Sequence, residues 1–456
     1  MGFFLTIAYI VATLLSPEQF GPAAAGYHPL LLLGAITLAA SLPGLFSGAP
    51  PVHSVQALLL GAFFLAITLS GIHRGWLGGI FLSWQEFLPS AAVFFFIVAN
   101  AASLQRLKIL TAALVCAAVV LAVEALCGYY RGYGGDLFVL QQNVPSGDGG
   151  IAHLARVRGA GFLNDPNDFA QMLLIALPLL FLAWRERRAA RNFFLVLAPA
   201  AALLWALYLT HSRGALIALA ALALFALRPK IGTAASVMLI AALFASLLGL
   251  EFTVGRGISA ADGAGRLEAW ASGLEMFKSA PLLGVGFGRF TDLNDLTAHN
   301  SFVLCLAELG LIGSTLWMAL LVTTLMGLTA CIRAAREALD SEDEPNEMPA
   351  TEKAGEAGGN NFASAAPADC REPSSSLRLP GRWAVALRMS LVAFITTGWF
   401  LSRSYRAPLY LVLGLATAAM ALAPSPAEDR APRRWIVFTL AAEAWAILCV
   451  YGMVRL

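Results

Sequence analysis

The sequence predicts an all-α, polytopic membrane protein with about 12–13 transmembrane helices, and three observations carry that reading. Hydrophobic residues make up 59% of the chain and charged residues 13%, roughly half the charge of a soluble protein. Mean hydropathy is +0.73. Apolar runs of about 15–25 residues recur from end to end, the length a helix needs to cross a bilayer. A membrane barrel would read instead as short alternating segments. The net charge of +2 gives no sign of a nucleic-acid partner. The six cysteines (Cys116, Cys127, Cys305, Cys331, Cys370, Cys449) are scattered without a CxxC, which suggests neither a disulfide framework nor a zinc site.

In chain order, the run at 2–15 lacks a basic lead and is followed by Pro17-Glu18, so it reads as a retained span rather than a signal peptide. Further spans are expected near 28–46, 55–70, 86–102 and 107–127, closing an N-terminal bundle over 1–127. After a first external loop at 128–166 come central spans near 168–184, 192–210, 213–228 and 231–250. A larger external loop at 251–299 precedes a span near 300–331, in a segment bounded at 300–332. Spans near 383–401, 407–423 and 435–452 fill the C-terminal region, 383–456. Between them, 333–382 reads as a disordered cytoplasmic insert, because 340–380 is rich in Glu, Pro, Ala, Ser and Gly and poor in apolar residues. With spans alternating, Arg106/Lys108, Arg185–Arg191, Arg228/Lys230, Arg333/Arg336 and Arg430–Arg434 all fall on one side. Basic short loops mark that side as the cytoplasm.

The two large loops then share the opposite face, and both are too rich in aromatic and charged residues for simple connections. In the second, Leu267, Trp270, Leu274 and Phe277 recur at helical spacing, predicting an amphipathic helix on the membrane or over a cavity. Its glycine-rich end runs through Ala298-His299-Asn300 straight into an apolar span. Histidine titrates nearest neutrality, which suits His299 to moving a proton, while an interfacial helix cap remains the plainer account of His299-Asn300. Glu308, two turns further on, would be costly unpaired and is read as orienting a partner across the bundle.

Arg213, in Thr210-His211-Ser212-Arg213-Gly214, admits two readings: a polar hairpin tip, or an anion site. In the second, Ser212 caps the next helix, its free N–H groups favour a phosphate, and Arg213 adds a bidentate fork. Arg156 and Arg158 precede an Asn164–Asp168 helix cap and need a partner, either carboxylates of the second loop or an anionic substrate. Arg266 opens the amphipathic helix, as a surface charge or as a clamp on a lipid diphosphate. Lys278 and Arg289 read as headgroup contacts, with Arg289 kept among the candidate substrate residues. Gly284-Val285-Gly286 lacks the strand and spacing of a dinucleotide loop, and no DxD pair or metal-spaced cluster appears. No metal or cofactor is expected.

Four motifs in order resemble the O-antigen ligase and polymerase superfamily. They are Arg158-Gly-Ala-Gly-Phe-Leu-Asn-Asp-Pro-Asn167; Leu209-Thr-His-Ser-Arg-Gly-Ala215; Gly265-Arg266 with Trp270; and Pro281-Leu-Leu-Gly-Val-Gly286 with His299-Asn300 and Glu308-Leu-Gly-Leu-Ile-Gly313. The resemblance covers roughly 150–330. It implies a bacterial inner-membrane, multi-pass enzyme of the lipid-dependent (GT-C-like) glycosyltransferase kind, with both large loops and the active site in the periplasm. It further implies metal-independent transfer of a glycan from undecaprenyl diphosphate to lipid A–core by a ligase, or to a second lipid-linked repeat by a polymerase. Protein O-oligosaccharide transfer and lipid-linked sugar transport are the remaining alternatives. By resemblance, Arg213 and Arg266 hold the diphosphate, His299 activates the acceptor hydroxyl, and Arg158 is a further functional arginine. The substrate-contact set is completed by Arg156, Ser212, Asn300 and Arg289. The chain departs from the family in its 340–380 insert and in carrying about three spans after the large loop.

Overall fold

Backbone groups in hydrocarbon have only one another as partners, so each apolar run of this chain becomes a helix. The computed structural model describes residues 1–16, 29–46, 52–73, 75, 77–145, 151–249, 260–343, 375–423 and 434–455. The helices of the first half are α1 (Gly2–Leu15), α2 (Pro29–Leu45), α3 (Val55–His73), α4 (Leu77–Asn100), α5 (Leu104–Arg131), α6 (Pro166–Leu180), α7 (Ala189–Leu209), α8 (Arg213–Ile231) and α9 (Thr233–Gly249). They are followed by α10 (Ala260–Ser279), a single turn α11 (Phe290–Leu293), α12 (Ser301–Asp343), α13 (Ser375–Gly398), α14 (Ala407–Leu422) and α15 (Arg434–Arg455). Among the described residues, eight helices are long and apolar enough to cross a membrane, and four shorter apolar helices accompany them. The protein is an all-α, multi-pass membrane protein.

α14 lies deepest: every residue from Ala407 to Ala418 is buried, against α4 and α13. Outward-facing Phe194, Leu239 and Trp445 are exposed, as expected of side chains turned to lipid. Polar side chains fasten the bundle where helices cross. Asn100 donates to Thr6 Oγ1 (3.1 Å) and Ser41 Oγ (2.8 Å), joining α4 to α1 and α2. Glu443 on α15, buried, accepts the hydroxyls of Ser314 and Thr315 on α12.

Three features differ from the sequence reading. The 128–166 loop holds an antiparallel hairpin, β1 (Val139–Pro145) and β2 (Ile151–Val157), with Val139 opposite Val157. Helices also extend beyond the expected bounds, α4 beginning at Leu77 and α5 continuing to Arg131. α12 runs on to Asp343 and α13 begins at Ser375, so both ends of the expected 333–382 insert are helical, and 344–374 lies outside the described residues. The amphipathic segment, expected on the membrane or over a cavity, docks on the bundle. Trp270 and Leu274 are buried against α12, although Leu267 stays 37% exposed.

Candidate active site

His299 is placed by a chain of local constraints. Its neighbour Ala298 is fully buried, and the Trp270 indole on α10 donates to the Ala298 carbonyl at 2.9 Å. His299 itself adopts a left-handed backbone (φ 47°), a conformation that costs a non-glycine residue about 1–2 kcal/mol. Asn300 then starts α12: its Oδ1 accepts the N–H groups of Phe302 (2.9 Å) and Val303 (3.1 Å). Ser301 locks this start to the α13–α14 connection. Its Oγ donates to Leu401 O (2.5 Å) and accepts from Arg403 N (2.9 Å), while Ser404 Oγ donates to Ser301 O (2.7 Å).

The two segments wall a cavity of about 450 Å³ that is lined by His299, Asp165, Asn167, Asp168, Arg403 and Arg406, with Glu86, Glu308 and Tyr405. Asp168, in the first turn of α6, receives Arg403 through a bidentate pair. Arg406 precedes α14 and forms no side-chain hydrogen bond among the described residues. Burial and the neighbouring Arg403 hold its pKa below the ordinary value, opposed by Glu86 and Asp168. The His299 imidazole is likewise lowered, first by burial and then by Arg266, against the opposite pull of Asp165. It therefore stays neutral, the form that can accept a proton.

The other sequence candidates lie at this same end. Ser212 caps α8, accepting the Ala215 N–H at 3.4 Å, and Arg213 begins that helix. Gly214 beside it abuts Phe400, three residues before Arg403. Arg156 is buried and extends to Thr210 O (2.8 Å), Gln142 (3.3 Å) and Asn167 Oδ1 (3.1 Å). It thus joins β2 to the α7–α8 turn and to the cavity wall. Arg158 donates to the carbonyls of Asn164 (3.2 Å) and Asp136. Carbonyl and amide oxygens are thus among the partners of these two arginines. Asp165 performs the expected capping, accepting Asn167 N–H at 2.7 Å. Arg266 is exposed on α10 and acts on His299 electrostatically. Arg289 pairs with Asp292 at 3.4 Å on the surface.

The glycine-rich lead-in has a mechanical role. α12 is interrupted at Gly310 (φ 60°), and the freed carbonyls of Ala307 and Glu308 accept Val285 N–H (2.9 Å) and Gly286 N–H (3.0 Å). In return Leu311 N–H reaches Pro281 O at 2.8 Å. Glu308 Oε1 accepts Phe290 N–H at 3.1 Å, and Tyr405 of the α13–α14 connection interacts with the same carboxyl group. Arg403, Arg406 and Asp168 escaped the sequence reading. The available signal was topological: the five-residue connection at 402–406 puts two arginines on the face opposite the basic loops.

Residues 198–318 match the family model described as O-antigen ligase. That segment is similar to the O-antigen ligase family. The family segment contains Arg213, Arg266, Arg289, His299 and Asn300, whereas Arg156, Arg158, Arg403 and Arg406 lie outside it. None of the curated proteins matches the chain. Among the described residues, no three His, Cys, Asp or Glu side chains are grouped to hold a metal ion.

Proposed function

We propose that the protein is an inner-membrane O-antigen ligase that moves a glycan from undecaprenyl diphosphate to lipid A–core at the periplasmic face. The observation that supports this most is the His299 imidazole facing a polar cavity beside the guanidinium groups of Arg403 and Arg406, its pKa lowered by burial. The anomeric carbon of the donor is already activated by diphosphate, so no nucleotide is needed. The acceptor hydroxyl attacks that carbon while its proton passes to His299; the C–O bond to the diphosphate breaks with its electron pair, giving inversion. Arg213 and Arg266 steady the departing charge from outside the cavity, and Arg406 from within it. The reaction is metal-independent, with Arg158 and Arg156 ordering the hairpin that borders the donor.

The test is transfer by purified protein in detergent, where transport across a membrane has no meaning. Donor is supplied with lipid A–core, alone, or with a pilin-like protein. Product on lipid A–core is the expected result; lengthened carrier-linked chains would make the protein a polymerase, and a glycosylated pilin an oligosaccharyltransferase. Arg213→Ala and His299→Ala proteins are expected to insert normally and to be inactive. Normal transfer by either removes that residue from the mechanism.

A further inference from the structure

We propose that the end of the bundle opposite His299 holds a site for an acidic glycerophospholipid, set between α6, α8, α12 and α13. A cavity of about 880 Å³ lies there, walled by apolar side chains such as Leu177, Leu222, Ala226 and Val385. Its volume falls in the upper part of the roughly 300–1,000 Å³ usual for small-molecule pockets. Three cations stand along it, each on a different helix: Lys230, Arg336 and Arg382. None of the residues lining it is acidic. Arg382 donates to Trp184 O at 3.3 Å and Phe181 O at 3.5 Å, which lays its guanidinium across the end of α6. A neighbouring crevice of about 320 Å³ shares Leu182 and Arg382, adds Lys108 and Arg185, and again has no acidic lining residue. Glu337 and Asp340 on α12 form no ion pair with these cations among the described residues.

A single lysine or arginine at a helix end is ordinary, its stem buried and its head in water. Three converging on one apolar hollow, with no carboxylate among its described lining residues, make a different object: a surplus of positive charge above space for hydrocarbon. A phosphodiester headgroup with acyl chains satisfies both parts. The carrier-linked donor does not suit this place. Lys230 is 17 residues along α8 from Arg213, about 25 Å at 1.5 Å per residue, so a diphosphate near Arg213 cannot also meet these cations. The occupant is therefore a two-chain lipid of the nearer leaflet.

Native mass spectrometry of the full chain, delipidated and titrated with dioleoyl-phosphatidylglycerol or dioleoyl-phosphatidylcholine, tests the site. The expected result is retained phosphatidylglycerol with a raised melting temperature, and little of either effect from phosphatidylcholine. The triple variant K230Q/R336Q/R382Q should bind phosphatidylglycerol at least about tenfold more weakly. Ala226→Phe, which fills the cavity and keeps every charge, should weaken it as well and guards against misfolding of the triple variant. Equal retention of both lipids, or undiminished phosphatidylglycerol binding by two folded variants, overturns the proposal. So does phosphatidylglycerol binding that appears only when residues 344–374 are deleted, since that acidic stretch would then be the occupant.

Discussion

At His299 two neighbours pull the imidazole in opposite directions. Arg266 lowers its pKa and Asp165 raises it, on top of a lowering by burial. The neutral form is the base, so transfer should decline as pH falls through a pKa below the ordinary histidine value. Removing the Arg266 charge (Arg266→Gln) lets that pKa rise, and the acid limb of kcat/KM moves to higher pH. Asp165→Asn keeps a capping side chain and should move it the other way. An acid limb unmoved by both variants would show that another group titrates, and His299→Ala should cost about 10²–10⁴ in rate. Arg403 and Arg406 separate by a different measurement. Arg403→Gln leaves the buried Asp168 carboxylate unpaired, a loss near the low end of about 3–5 kcal/mol, read as a lower melting temperature and relieved by Asp168→Asn. Arg406→Gln should fold normally and raise the donor KM. Ser212 and Asp165 were legible in the sequence because their partners are within a turn, and His299 because of its glycine-rich lead into an apolar span. Arg403 was not, since its carboxylate lies 235 positions away.

Helix α12 works as two pieces held by the loop that precedes it. A Cβ at Gly284 would come within 2.2 Å of the Glu308 carbonyl carbon, and one at Gly310 within 2.5 Å of that of Leu282. Both glycines also have positive φ. Gly288 has positive φ but nothing within 4 Å of an added Cβ. Gly288→Ala should therefore cost only the backbone penalty of about 1–2 kcal/mol, while Gly284→Ala and Gly310→Ala should give little folded protein by size exclusion and thermal unfolding. Similar melting temperatures for all three would deny the interlock. The sequence displays these glycines plainly, yet not that two segments 26 residues apart exchange backbone hydrogen bonds. Periodicity reports the apolar face of α12 and says nothing about where its ladder breaks. The hairpin was hidden for a related reason, because Val139–Pro145 carries three consecutive amide side chains and does not alternate cleanly.

Across the whole molecule the two ends differ in what surrounds their arginines. At the His299 end they meet carboxylates, carbonyls and a polar cavity, whereas the far end gathers Lys230, Arg336 and Arg382 along a cavity with no acid among its described lining residues. Apolar run length made the span pattern readable, and loop charge assigned its sides; neither describes how spans pack, which is why both cavities emerged only from the fold. The sidedness is itself testable in a background with the six native cysteines replaced. Asp295→Cys reports the His299 end, and Glu186→Cys and Glu337→Cys the other; all three positions are exposed. Since short basic loops stay in the cytoplasm, a membrane-impermeant maleimide should label Asp295→Cys on intact spheroplasts and the other two only after permeabilisation. The reverse pattern would put His299 on the cytoplasmic side, beyond reach of a periplasmic donor. The ligase proposal would then fail while every hydrogen bond around His299 stayed in place, because the chemistry depends on which compartment the cavity opens to.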